Sequence, residues 1–411
     1  MSLRFSAISA CVLLVLTACS TGSQSSSPSS PTPHTVTATL PPPTPSVPAG
    51  PAAITPVIGS VLAPPMPVPA TDGKTHLAYE LVLTNTSPGD VTLMSLAALS
   101  GDRTLFTLSG DGLANSTRIL GNPVPSPTLG SAQTALVWID IALDDAAAVP
   151  TGISHALAVS VAQPQPPLTE AAMTETVAPT TVDGRKPVTV SPPLRGDNWV
   201  DGNGCCDLTP HRLAVSPLNG QLWASERYAI DFVQLTPDGR LTTGDKDKLE
   251  SYPYYGADVS AVADGQVVAV VDNLAEQVPG ANPPGLSLDQ YAGNHVVQDI
   301  GGGNFVLYAH LNTGSVKVKP GDKLTTGQVL GSLGNSGNTD MPHLHFELMS
   351  TADPLRSNGL PFVFDRLRLD SRVVPGDMPT DVPVPMQHGV TASDQTYRMP
   401  LHLDVTSFAA R

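Results

Sequence analysis

The sequence predicts a mostly β chain in which a β-sandwich-like domain precedes a second domain built on an antiparallel β-sheet. Three observations lead there. Runs of alternating apolar and polar residues recur, among them Leu77–Leu83, Val91–Met94 and Ala135–Leu143. Clusters of Gly, Pro, Asn and Asp separate these runs at the spacing of turns between short strands. Further on, Phe305–Leu311 reads as another strand, and His343-Leu344-His345 places two imidazoles one residue apart in a third.

At 411 residues the chain has room for two or three domains. Residues 1–18 stand apart from them. Arg4 precedes an apolar run from Ile8 to Leu16 that is too short to span a bilayer, and Leu16-Thr17-Ala18-Cys19 follows. This resembles a bacterial lipoprotein signal. The resemblance implies cleavage before Cys19, lipidation of Cys19, and an exported protein anchored to a bacterial membrane by lipid on its extracytoplasmic side. An ordinary secretory signal cut nearby is the other reading.

Residues 19–70 are rich in Ser, Pro and Thr and nearly free of charge, a composition that buries too little surface to offset ordering entropy. The expectation is a semi-extended tether, about fifty residues at ~3 Å each. Residues 71–165 form the expected sandwich, in which His76 and His155 belong to no visible ligand constellation. A Pro- and Thr-rich linker over 166–186 follows. The second domain is drawn over 187–365, with a strand near Trp199-Val200 and a hairpin turn at Gly301-Gly302-Gly303, which lacks the strand-to-helix context of a phosphate loop. Residues 366–411 are a C-terminal extension with a candidate terminal strand over Tyr397–Val405; His402 there has no ligand partner at useful spacing. The formal charge of −15 and a pI near 4.9 argue against nucleic-acid binding, since no basic stripe is available to displace counterions.

The chemistry concentrates in the second domain. Side chains on a strand repeat every two residues, so His343 and His345 share a face, and an antiparallel neighbour carrying His310 brings a third imidazole beside them. Leu344 and Phe346 bracket His345, as expected of a strand with one packed face. Neutral imidazole is the commonest protein ligand of zinc, and a catalytic zinc site takes three protein ligands with one position left open. The upstream carboxylate that fits is Asp231, an acidic residue inside the apolar run Ala229-Ile230-Asp231-Phe232.

From about Arg227 to Glu347 the sequence resembles the catalytic domain of the M23 family of zinc endopeptidases, the LytM or lysostaphin type. Four blocks carry the resemblance: Ala229–Phe232; Val262–Val268; Gly293–Val296 leading into Tyr308–Leu311; and Gly321–Lys323 through Gly327–Gly331 to His343–Phe346. It implies an M23-type antiparallel β-sheet catalytic domain holding one Zn2+. It further implies a peptidoglycan peptide as substrate, Asp231 and His345 as metal ligands, and His310 and His343 as catalytic histidines beside the attacking water and the substrate carbonyl. Proton transfer by such an imidazole is typically worth about 10²–10⁴ in rate.

One departure stands out. The family pattern opens His-x-x-x-Asp, but Arg227 lies four residues before Asp231, and a guanidinium does not ligate zinc. Either the metal site is lost or another residue replaces the ligand. His211 is the candidate metal ligand in its place. The segment His211–Ser216 reads as a strand, Asn219-Gly220 as the turn and Gln221–Tyr228 as the return strand, which sets His211 opposite Tyr228 and beside Arg227. A one-residue slip would turn it away.

Adjacent Cys205 and Cys206 are a candidate vicinal disulfide, with bonding to another chain, free thiols or zinc ligation as alternatives. The long insertion between Asp272 and Tyr291 is expected to wall the substrate groove. The leading expectation is therefore a zinc endopeptidase of cell-wall remodelling. The competing one is a catalytically inactive module that binds wall or activates another wall hydrolase as its partner. Retention of Asp231, His310, His343 and His345 favours the enzyme.

Overall fold

The computed structural model describes residues 52–144, 147–281, 283–376 and 378–409. The signal segment, Cys19 and most of the expected tether lie outside the described residues. No helix among the described residues is long and apolar enough to cross a membrane. The chain is mostly β, in antiparallel sheets with one short parallel pair, Val188–Val190 against Phe362–Phe364.

The first domain packs two five-stranded sheets face to face. One runs Val57–Val61, Lys74–Asn85, Thr134–Asp144, Thr117–Ile119, with Val68–Pro69 against the second strand. The other runs Ala172–Thr181, Gly152–Val161, Val91–Ser100, Arg103–Ser109, with Thr128–Leu129 at its side. Its extent differs from the expected 71–165. Val57–Val61 pairs with Leu81–Asn85, inside the stretch read as tether, and Ala172–Thr181 pairs with Gly152–Ser160, inside the stretch read as linker. Val57–Val61 holds no proline itself and was disguised by Pro56, Pro64 and Pro65 around it, while Ala172–Thr181 carries Pro179 within the register shift between Val177 and Thr180, where the ladder is already interrupted.

The pleat of Lys74–Asn85 decides how the domains meet. Leu77, Tyr79, Leu81 and Leu83 point into the sandwich core. The opposite face carries Ala78, which belongs to the core of the second domain, and Glu80, which is 0% exposed. The outer face of this sheet is thus covered by the second domain.

The second domain is organised on an eleven-stranded sheet. Its central order is Gly265–Val271, Asn294–Asp299, Phe305–Leu311, Leu344–Met349, Ile230–Gln234, Gly196–Gly202, Asp404–Phe408, Leu367–Arg372. Residues 366–411 are therefore no appendage: Asp404–Phe408 enters the sheet between Gly196–Gly202 and Leu367–Arg372, several residues later than the expected strand over 397–405. On one face of the middle strands Phe232, Phe346, Phe362, Phe364 and Phe408 pack with centroids 5.2–6.4 Å apart. Each such ring buries on the order of 150–250 Å². This aromatic layer fixes the floor on which the opposite face is built.

Candidate metal centre

Asp231 and His345 are direct partners on adjacent antiparallel strands, so their side chains leave the sheet on the same side. Nδ1 of His345 lies 3.0 Å from Oδ1 of Asp231. Their neighbours Ile230, Phe232, Leu344 and Phe346 point into the opposite core. His343 stands just before the strand, bridged to Gly334, and puts Nε2 3.3 Å from the same Oδ1.

His310 reaches the centre by a bulge. The pairing passes from Val296↔Tyr308 to Asn294↔Leu311, three steps on one strand against two on the other. Val306, Tyr308 and Leu311 all enter the same core, so the pleat changes parity between Tyr308 and Leu311. A regular strand would have sent His310 into that core after Tyr308. Instead His310 takes φ +58°, uncommon for a side-chain-bearing residue, and its ring sits 4.6 Å from that of His343 and 5.7 Å from that of His345.

His211 lies elsewhere than its expected strand. The hairpin at Asn219-Gly220 has the expected register, Val215↔Ala224 to Leu218↔Gln221, but the strand begins only at Val215. His211 occupies a one-turn helix, Pro210–Leu213, started by Pro210 and capped by Thr209, whose Oγ1 accepts from the Arg212 N–H. From there its Nε2 comes 3.1 Å from Oδ2 of Asp231. One ligand atom each from His211, Asp231 and His345 lies within 4.8 Å of the others, and the same holds for His310, His343 and His345. The two triads share His345.

The ring orientations are fixed by hydrogen bonds. Nδ1–H of His211 donates to the Ala229 carbonyl at 3.1 Å, that of His310 to Ser336 at 2.7 Å, and that of His343 to Met341 at 2.9 Å. All three therefore turn Nε2 toward the centre. His345 is reversed: Nδ1 faces Asp231, while Nε2 faces Glu347 at 3.9 Å. Carboxylate support behind a ligating imidazole is a recurrent arrangement at metal sites. The Ser336 carbonyl can approach only because two glycines let backbones meet. A Cβ at Gly293 (φ +61°) would lie 2.1 Å from that oxygen, and one at Gly337 (φ +83°) 2.3 Å from the Gly293 nitrogen.

These five side chains are buried but each retains 6–8% exposure, enough for contact with solvent. Burial alone would raise the Asp231 carboxyl, yet His211 and His343 beside it hold it well below the usual carboxylate range. Burial, with His343 and His345 nearby, pushes His310 well below an ordinary imidazole, so it is neutral at physiological pH. His345 moves the other way, because Asp231 and Glu347 outweigh the burial that would lower it. A cleft of about 480 Å³ between the Asn219 turn and the 351–356 loop contains none of these residues, so volume is no guide to the chemistry here.

Several supporting residues escaped sequence reasoning. Asn203, at φ +56°, donates to Asp231 Oδ2 at 2.8 Å, while its own carbonyl accepts from the Thr209 hydroxyl at 2.8 Å. Nothing in its Gly-rich loop advertised that role. Glu347 was not singled out, although its spacing of two from His345 places it on the same face. Arg227, at the position of the absent histidine, extends instead to Glu80 of the first domain. Cys205 and Cys206 are joined to each other in a disulfide. The start of the 272–291 insertion is pinned beside the centre, with Glu276 bridged to Ser336 and accepting from the Asn335 and Thr313 amides.

Residues 251–357 match the model of peptidase family M23, a span that includes His310, His343 and His345 but neither His211 nor Asp231. Over 67 residues the chain is 40% identical to the peptidoglycan DD-endopeptidase ShyA of Vibrio cholerae, a match covering 16% of this chain and 15% of that protein. Among solved structures it is similar to the catalytic domain of lysostaphin from Staphylococcus simulans, at 19% identity and TM-score 0.22, covering 40% of this chain and 88% of that one. It is also similar to a zinc containing peptidase from Vibrio cholerae, at 15% identity and TM-score 0.21, covering 71% and 83%. The chain carries a peptidase family M23 domain of the LytM type.

Proposed function

We propose that this family M23 domain is a zinc-dependent endopeptidase that hydrolyses peptide bonds of peptidoglycan. The observation that carries the reading is the pair of triads sharing His345. One, His211, Asp231 and His345, offers two imidazoles and a carboxylate, the donor set and number of a catalytic zinc site with a position left open. The other leaves His310 and His343 beside it, free for proton work. His211 thereby supplies the nitrogen that Arg227 cannot.

Zinc held by His211, Asp231 and His345 would supply Lewis acidity toward the attacking water and the scissile carbonyl. The chain's own residues do the rest. His310, neutral and with Nε2 turned inward, accepts the proton of the attacking water and returns it to the leaving amine. His343 turns a second Nε2 toward the same centre from a ring held by the Met341 carbonyl, and takes the place beside the substrate carbonyl that the family resemblance implies for it. The 272–291 insertion walls one side of the groove, and shortening it should alter substrate preference before it alters folding. The substrate class is supported by the match to a peptidoglycan DD-endopeptidase. An exported protein held by lipid at Cys19, with a Ser/Pro/Thr-rich stretch behind it, would place the enzyme at that substrate.

The test is hydrolysis of purified peptidoglycan by the exported chain. Cleavage abolished by chelator and restored by zinc supports the reading. Stimulation of a partner amidase with no intrinsic cleavage would establish a regulatory module instead.

A further inference from the structure

The first domain sends one charged side chain across the domain boundary. Glu80 is 0% exposed, and two arginines of the second domain converge on it. Arg212 donates from Nη1 to Oε1 at 2.7 Å. Arg227 donates from Nε to Oε2 at 2.9 Å and again from Nη2. Two further bonds cross the same boundary: Arg212 Nη2 to the Ile139 carbonyl at 3.2 Å, and the Tyr228 hydroxyl to the Ala78 carbonyl at 3.2 Å. Burial alone would raise the Glu80 carboxyl; the Arg227 and Arg212 guanidiniums reverse this and hold it below its ordinary range.

What matters is where these arginines stand. Arg212 follows His211 directly in a helix of a single turn, which has little rigidity of its own. Arg227 lies two residues before Ala229, whose carbonyl fixes the His211 ring, and four before Asp231. His211 is thus fixed twice through one carboxylate, at its backbone neighbour through Arg212 and at its ring through the segment that Arg227 anchors. The arrangement also accounts for an arginine where the family pattern has a ligating histidine: the side chain serves the domain boundary and the ligand is supplied from the clamped helix.

We propose that Glu80 is a positioning residue of the metal centre, holding His211 in ligating geometry through Arg212 and Arg227, so that the sandwich domain completes the site. The inference rests on the zinc reading above.

The experiment compares the full exported chain with Glu80→Gln and Glu80→Asp. It measures the zinc dissociation constant by chelator competition and the visible absorption of the cobalt-substituted proteins, which reports ligand geometry. Glu80→Gln is expected to weaken zinc by about 10- to 100-fold, the usual effect of removing outer support from a ligand, and to change the cobalt bands. Glu80→Asp keeps the charge and should recover most of the affinity. A folded Glu80→Gln with native zinc affinity and native cobalt bands overturns the inference. Should Glu80→Gln fail to fold, the triple replacement Glu80→Leu, Arg212→Leu, Arg227→Met removes the buried charges together and restores packing. Weakened zinc binding in that folded protein supports the clamp, and native binding overturns it. A native chain that binds no zinc defeats the zinc reading and this inference together. If native zinc is lost only in His345→Ala and is unchanged in Glu80→Gln, the inference alone falls.

Discussion

The two sides of the centre are built differently. On one side Asp231 and His345 are register partners on neighbouring strands, backed by an aromatic layer, so their approach is set by the ladder itself. On the other, His211 stands on a one-turn helix that holds its place through a capping threonine, the Ala229 carbonyl and a buried arginine anchored in another domain. A ligand on a sheet needs only correct register. A ligand on a loop needs every contact around it, and those contacts come from distant parts of the chain.

That contrast can be tested from the sheet side first, where the effect should be largest. His345→Ala or Asp231→Ala removes a side chain whose partner remains, and should eliminate zinc from the purified protein and bring peptidoglycan hydrolysis to background. His310→Ala leaves His211, Asp231 and His345 in place. Metal analysis should still give native stoichiometry, while turnover falls about 10²–10⁴-fold. Hydrolysis at the native rate by all three variants would show the site to be misassigned.

The loop side should instead reveal itself in stability. Arg227→Ala leaves Glu80 buried and only half paired, which should cost about 3–5 kcal/mol in urea unfolding. A cost near that of an exposed ion pair would mean that the boundary rearranges readily. The smallest expected effect concerns His76, on the same strand as Glu80. Burial would lower its pKa, but Asp140 at 2.8 Å and Asp72 at 3.3 Å push it up to about 9. The folded value lies above the unfolded 6.5, so this contribution is fully present below pH 6.5 and is lost as pH rises through 9. It amounts to about 3 kcal/mol. His76→Asn should flatten the stability profile over that window while leaving zinc binding unchanged.

The same contrast explains what could be read from the residues. His343 and His345 were legible because the period of a strand places them on one face, and Asp231 because an acidic residue stands out inside an apolar run. Convergence of His310 was legible as well, but its cause was not: simple pairing places Ala309 opposite His345, and a bulge with positive φ turns His310 in. His211 was nominated by what Arg227 cannot do, and the expected strand proved to be a helical turn. Val57–Val61 was hidden by the prolines on either side of it, and Ala172–Thr181 by Pro179, which sits at a break in its pairing. Glu80 could not be read at all, since one acidic residue on an alternating strand looks like a solvent-facing position until the second domain covers it.

Zinc stoichiometry of the full chain, native against His211→Ala, is the decisive measurement. One zinc per native chain is expected, with its loss in His211→Ala while the fold is retained. Native stoichiometry in His211→Ala, or no zinc in the native chain, would contradict this expectation.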